Sequence, residues 1–249
     1  MLADALVRQW ERDAAAPFEG WDFSYLKGRL IETKPGWDYQ ALARTAVAGS
    51  SNVLDLATGG GEALASLAPF PGRATAVEGY APNVPVARQR LSPLGIEVLQ
   101  ADPGDTLPFH DNAFDLVLNR HGALKPAELG RLLKPGGAFL TQQVAGDNLA
   151  DLGRCFGAEA QWPANMLGAV KEQLQALGFD VRQAREWGGA LTFVDVGALV
   201  YFLKAVPWIV DDFSLDGHLD SLAVLQAQIE SGRPLQFTET RFLIHAIKT

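Results

Sequence analysis

A glycine-rich turn set between two acidic residues constrains this chain more than any other feature. Val53-Leu54-Asp55-Leu56-Ala57-Thr58-Gly59-Gly60-Gly61 reads as a buried strand that enters a tight turn and then a helix. The next apolar run, Ala74-Thr75-Ala76-Val77, ends on Glu78. A turn without side chains lets a ligand approach the backbone closely. A carboxylate at the tip of the neighbouring strand can accept hydrogen bonds from both hydroxyls of a ribose. The pairing implies a nucleoside-containing cofactor.

The dinucleotide fingerprint G-x-G-x-x-G fits only in part: Gly59 and Gly61 supply two glycines, and Leu64 stands at the third position. Asp55, four residues before Gly59, would repel a pyrophosphate and suit a cationic amino group. S-adenosylmethionine, with an ammonium, a sulfonium and no phosphate, satisfies those electrostatics better than NAD.

The segment resembles the first motif of the class I S-adenosylmethionine-dependent methyltransferases, Asp/Glu-x-Gly-x-Gly-x-Gly, with Ala57 in place of the first glycine. Ala101-Asp102-Pro103 resembles the third motif and Phe114 to Asn119 the fourth. Leu132 to Leu140 resembles the turn before the fifth strand. The likeness is to bacterial members with no assigned acceptor. It implies that Asp55 attracts the cofactor's amino group. Ala57, Gly59 and Gly61 would line the methionine end, and Glu78 would hold the ribose. Asp102 would bind the adenine amino group, with a plain Asp-Pro turn as its other reading. Asn119 would sit by the methyl donor. The fold implied is a Rossmann-like α/β doubly wound sheet of about seven strands. It is mostly parallel with an antiparallel C-terminal strand, and helices cover both faces.

The periodicity agrees. Strands are expected at 52–57, 74–78, 96–100, 114–119, 137–144, 179–187 and 238–247. Helices are expected near 1–13, 38–47, 61–68, 83–91, 126–133, 147–156, 164–177, 195–206 and 217–231. Asn83 is placed to cap its helix. The span 1–249 reads as one methyltransferase domain. Within it, 1–48 is a helical and aromatic lid, 49–145 the cofactor-binding core, and 188–235 a helical insertion on the acceptor side.

Beyond the donor site the signal thins. Asn119-Arg120-His121 offers His121 as a general base or as a wall of the pocket, and Arg120 as an anchor for an acceptor carboxylate. Trp21, Phe23 and Tyr25 from the aromatic segment, and Tyr201 from a late helix, are candidates for the acceptor pocket. Packing against the core, with no part in the substrate site, is their alternative role. His110, His218 and His245 form no ligand spacing, so no metal is expected, and Cys155 reads as buried or inert.

A net charge of −8 disfavours a nucleic-acid acceptor and leaves a small molecule as the expected partner. The basic run Arg88-Gln89-Arg90 reads as a solvated helix face. Hydrophobic residues at 48% and charged residues at 20% describe a globular chain. No apolar run is long enough to span a bilayer and no leader is evident, so a cytoplasmic location is expected. Two other functions stay open: a non-catalytic S-adenosylmethionine-binding protein, and an NAD-dependent dehydrogenase.

Overall fold

The computed structural model describes residues 4–18 and 22–249. The chain divides into two compact units. The core unit comprises 36–145, 164–186 and 241–249, and the second unit comprises 4–18, 22–35, 146–163 and 187–240 of the described residues.

In the core unit the strands are β2 (Asn52–Leu56), β3 (Arg73–Glu78), β4 (Glu97–Gln100), β5 (Phe114–Arg120) and β6 (Leu133–Val144). They are joined by the first part of β7 (Phe179–Phe193) and the last part of β8 (Leu235–Lys248). Their order is β7-β8-β6-β5-β2-β3-β4. Parallel ladders join β2 to β3, β2 to β5, β3 to β4 and β5 to β6, while β8 runs antiparallel to β6. This is the doubly wound arrangement expected, with the reversed final strand second from one edge.

Both faces are covered because side chains alternate along each strand. Val53, Leu116, Leu118, Leu140 and Leu243 pack on one face with Ala43 and Val47 of α2 (Tyr39–Ala48) and with Ala87 and Leu91 of α4 (Asn83–Leu91). Leu54, Val117, Phe139, Phe242 and Ile244 pack on the other with Leu129 of α5 (Pro126–Leu132) and Leu174 of α7 (Leu167–Ala176). A strand buried on both faces reads as a continuous apolar run, which is why these strands were visible in the sequence.

Several boundaries differ from expectation. The helix after the glycine turn, α3, spans only Glu62–Ala65. Ala68 precedes Pro69, and a residue before proline is pushed out of the helical region. Asn83 is not a cap: it is the first, buried residue of α4, Pro82 holds the cap position, and no side chain bonds there. Lys134 to Gly137 is not a break between elements. β6 begins at Leu133, pairs with Phe114, and regains register at Ala138 opposite Leu116, so the Lys-Pro-Gly-Gly run is a bulge within the strand.

The second unit adds an eighth strand, β1 (Leu30–Glu32), antiparallel to the distal part of β7. Its three residues lie in the aromatic segment and escaped prediction, as did the continuation of β7 past Gly188 and Gly189. Here α1 (Asp4–Ala15) packs on α8 (Val196–Ala205), where every residue but Lys204 is buried. α6 (Ala150–Arg154) and α9 (Leu219–Glu230) complete it. Asp13 of α1 has no exposure and is held by Arg29 at 2.8 Å and Tyr25 at 2.7 Å. Arg29 also bonds Asp195, the N-cap of α8. A buried carboxylate needs such partners.

Candidate functional site

The glycine turn leaves the carboxyl end of β2, beside the ends of β3 and β5, where open α/β sheets place their ligands. Gly59 (φ 62°) and Gly61 (φ 82°) take left-handed conformations, and so does Ala57 (φ 57°). The position where the motif usually carries glycine thus has a glycine-like backbone with a methyl group on it. That methyl abuts Gly122, where an added Cβ would collide with it.

The turn is held by Glu78. Its Oε2 accepts from the Gly59 backbone N–H at 2.6 Å and its Oε1 from the Tyr80 N–H at 2.8 Å. Burial raises its pKa, and the backbone bonds from Tyr80, Gly59 and Gly79 oppose that rise. An ionised carboxylate has about four acceptor sites, so capacity remains for ribose hydroxyls. Asp55 is buried close by. Desolvation pushes its pKa up to about 7; the Thr58 hydroxyl lowers it, the Glu78 charge raises it, and Arg120 lowers it.

Arg90 anchors the far side of the turn through the Gly60 carbonyl and Glu62, and Arg88 bonds the Val98 carbonyl at 3.3 Å. Both arginines lie on the exposed helix face expected, and each also ties that helix to a backbone carbonyl.

Asp102 is exposed after β4, with Oδ1 accepting from the Gly104 N–H at 2.8 Å. That is the Asx-turn geometry of the plainer reading. Gly79 faces it, and a Cβ there would lie 3.3 Å from both Asp102 Cα and Pro103 Cδ. Tyr80, 64% exposed, follows immediately. Neither Gly79 nor Tyr80 was singled out from the sequence, although both directly follow the ribose-binding acid.

Asn119 sits at the end of β5 but is fully buried, and its amide is occupied. It donates to the Ala123 carbonyl and accepts from the Gly122 N–H and Gln143 Nε2 at 2.8–3.1 Å. The side chain shapes the loop beside the turn. Arg120 is exposed at the end of β5, paired with Gln142 in the ladder, and its side chain makes no hydrogen bond or ion pair among the described residues. His121 follows with φ 63°; the residue is exposed, but its ring is part-buried where it meets Gln142. Burial of the ring, then Arg241 and Arg120, push its pKa down. Its Nε2 lies 2.9 Å from Gln142 Nε2, and Trp37 Nε1 donates to Gln142 Oε1 at 2.8 Å.

The aromatic candidates belong to the second unit and contact one another. Tyr25 stacks on Tyr201 with centroids 4.5 Å apart, and Phe23 lies 5.1 Å from Phe18 and 6.0 Å from Phe202. Trp21 lies outside the described residues. Asp115 of the fourth motif is at the start of β5, away from the turn, where it receives the Ser51 and Asn52 N–H groups and Lys134. A cavity of about 570 Å³ opens at that same end of the strands, lined by Ser51, Asp115, Lys134, Gln183 and His245. Cys155 is exposed as a residue, and partial desolvation of its thiol, then the nearby Asp151 charge, raises its pKa, which keeps it an inert thiol.

Residues 54–141 match the family model described as a methyltransferase domain, a stretch that holds the turn, Glu78, Asp102 and Asn119. Over 57 residues the chain is 40% identical to a 23S rRNA (guanine(748)-N(1))-methyltransferase of Streptomyces fradiae, covering 23% of this chain and 20% of that protein. Over 102 residues it is 32% identical to a protein-L-isoaspartate O-methyltransferase of Brucella anthropi, covering 40% and 47%. The chain therefore spans less than half the length of the curated relatives it matches. A crystal structure of a putative methyltransferase from Bacillus halodurans shares the fold, with a TM-score of 0.60, 22% identity, and coverage of 85% of this chain and 98% of that one. No helix among the described residues is long and apolar enough to cross a membrane.

Proposed function

We propose that this chain is an S-adenosylmethionine-dependent methyltransferase, and that its donor site is the glycine turn with Asp55 and Glu78. One observation carries the proposal. Glu78 is held by two backbone N–H groups, one from the turn and one from Tyr80, which fixes its carboxylate beside a bend free of bulky side chains. The residues fit the cofactor. Glu78 has acceptor capacity for the ribose, Asp55 supplies a negative charge for the ammonium, and the backbone at Gly59 to Gly61 carries no side chain of its own to block the methionine end. Gly79 lets the end of β3 approach the Asp102 turn closely, with the exposed Tyr80 beside it.

When bound, the sulfonium supplies an activated methyl group. The protein's part is to align an acceptor with it and exclude water, a contribution that can be worth about 7–11 kcal/mol. Arg120 and His121 are the groups we assign to the reacting end. The acceptor is a small molecule in this reading, because a net charge of −8 opposes a nucleic-acid backbone. We assign its selection to 188–235 within a single functional domain of 1–249, acting in the cytoplasm. Phe23, Tyr25 and Tyr201 pack within the unit that carries this segment.

Calorimetry with S-adenosylmethionine and with its demethylated product is the test. Binding of either that weakens on Glu78→Ala supports the proposal, and absence of binding to both removes it.

A further inference from the structure

The strand pair β5–β6 carries a polar chain that no motif announces: Trp37, Gln142 and His121, all in the core unit. Gln142 is buried on β6, opposite Arg120. It grips His121 twice. Its carbonyl accepts the His121 backbone N–H at 2.8 Å, and its side-chain nitrogen lies 2.9 Å from the His121 ring Nε2. The other end of the same amide receives the indole N–H of Trp37 at 2.8 Å.

The direction of every proton in this chain follows from one fact. An indole nitrogen can only donate. Gln142 must therefore turn its oxygen to Trp37 and its NH₂ to His121, since the flipped amide would set two donors against each other. An amide NH₂ can only donate as well, so His121 Nε2 must carry a lone pair. The ring proton is then on Nδ1. Protonating Nε2 would place N–H against N–H, and relieving that clash by flipping the amide would break the bond to Trp37.

We propose that Trp37 and Gln142 are positioning residues that hold His121 as the neutral Nδ1–H tautomer, so that His121 acts in this site as a hydrogen-bond donor and not as a proton acceptor. The charged groups that face the ring are Arg120 on β5 and Arg241 on β8, and both oppose a further positive charge. The strained backbone of His121, left-handed at φ 63°, is kept in place by the same glutamine. Because the ring presents an N–H, the ligand atom that meets it is an acceptor such as a carboxylate or carbonyl oxygen. The assignment refines the methyltransferase reading above, which gives His121 its place at the reacting end, but the tautomer itself is a property of the protein alone.

Long-range ¹H–¹⁵N correlation spectra of the ¹⁵N-labelled full chain, without ligand, test it. His121→Asn identifies the signal among the four histidines. In the wild type the pattern of an unprotonated Nε2 and a protonated Nδ1 should persist from pH 6 to pH 8. Gln142→Glu replaces the donor with an acceptor, and His121 should then protonate with its pKa raised by about one unit or more. Trp37→Phe frees the amide to flip, and the spectrum should move to a mixture of tautomers. A wild-type ring bearing its proton on Nε2, or titrating near the ordinary histidine value, overturns the proposal. So does a Gln142→Glu protein, folded by its backbone amide spectrum, in which the His121 pKa is unmoved. Since the wild-type measurement needs neither variant nor cofactor, its outcome is separate from the calorimetric test of donor binding.

Discussion

Glu78 Oε2 and the Gly59 backbone N–H are 2.6 Å apart, so the tip of β3 and the glycine turn after β2 form one hydrogen-bonded unit. Whatever binds the turn also meets the carboxylate. Removing that carboxylate does two things. It takes away the acceptor for the ribose, and it leaves the N–H groups of Gly59 and Tyr80 without their partner.

For Glu78→Ala we expect cofactor affinity to fall at least about tenfold, which is about 1.4 kcal/mol. Thermal stability should also drop, since each buried N–H left unsatisfied costs about 1–3 kcal/mol. Glu78→Gln, which can still accept through one oxygen, should lose less of both. Calorimetry and a melting curve on the two variants check this.

Asp55 makes donor binding pH-dependent. Its pKa of about 7 means that near pH 6 the carboxyl is mostly protonated and offers no charge to an ammonium. Affinity for the cofactor should therefore rise between pH 6 and pH 7.5, with proton release on binding, and Asp55→Asn should flatten the profile. Stability has the opposite sign. A raised folded-state pKa contributes stability that is complete below the unfolded value of about 3.9 and is lost as pH rises through about 7. Wild-type unfolding in urea at pH 5 and pH 8, compared with Asp55→Asn, measures that loss.

Ala57 and Gly122 should be energetically coupled. A methyl added at Gly122 would collide with the Ala57 methyl. Gly122→Ala alone should cost about 1–3 kcal/mol from overpacking. Ala57→Gly alone should be close to neutral, because relief of the left-handed backbone offsets the entropy glycine gains in the unfolded chain. Combined, the two should recover most of the loss. A double-mutant cycle showing simple additivity would contradict the contact.

In the second unit, Arg29→Ala should destabilise by about 3–5 kcal/mol, since it strands the buried Asp13 carboxylate. Burial pushes the Asp13 pKa up, but bonds from Arg29, Tyr25 and Gln9 overcome this and hold it below the usual value. That contribution is present above the unfolded pKa and disappears as pH falls through the folded one. The variant should consequently lose the acid-sensitive part of the wild-type melting profile, which a pH series of thermal scans would reveal.

How legible the fold was depended on burial. β2, β3 and β5 lie inside the sheet and read as apolar runs bounded by turn residues, so their limits came within a residue or so. β1 is three half-exposed residues defined only by its partner on β7, a long-range fact that no local pattern encodes. The donor site was readable because glycines and acids in fixed order have few other uses. Gln142 and Trp37 were not, because a lone glutamine in a strand and a tryptophan before a helix look like ordinary packing until a third residue shows where their protons point. Asn119 illustrates the reverse: its position at the strand end was read correctly, while the three bonds that occupy its amide depend on Gly122, Ala123 and Gln143.

The place of β8 between β6 and β7 has a consequence for biosynthesis. The ribosome makes both neighbours before it makes the strand that separates them. The growing sheet must hold a gap open, with two unpaired borders, until the intervening segment arrives. Such borders invite association with other chains. Loss of residues 241–248 should thus produce a protein that clumps as it is made, even though the glycine turn and its acids are intact.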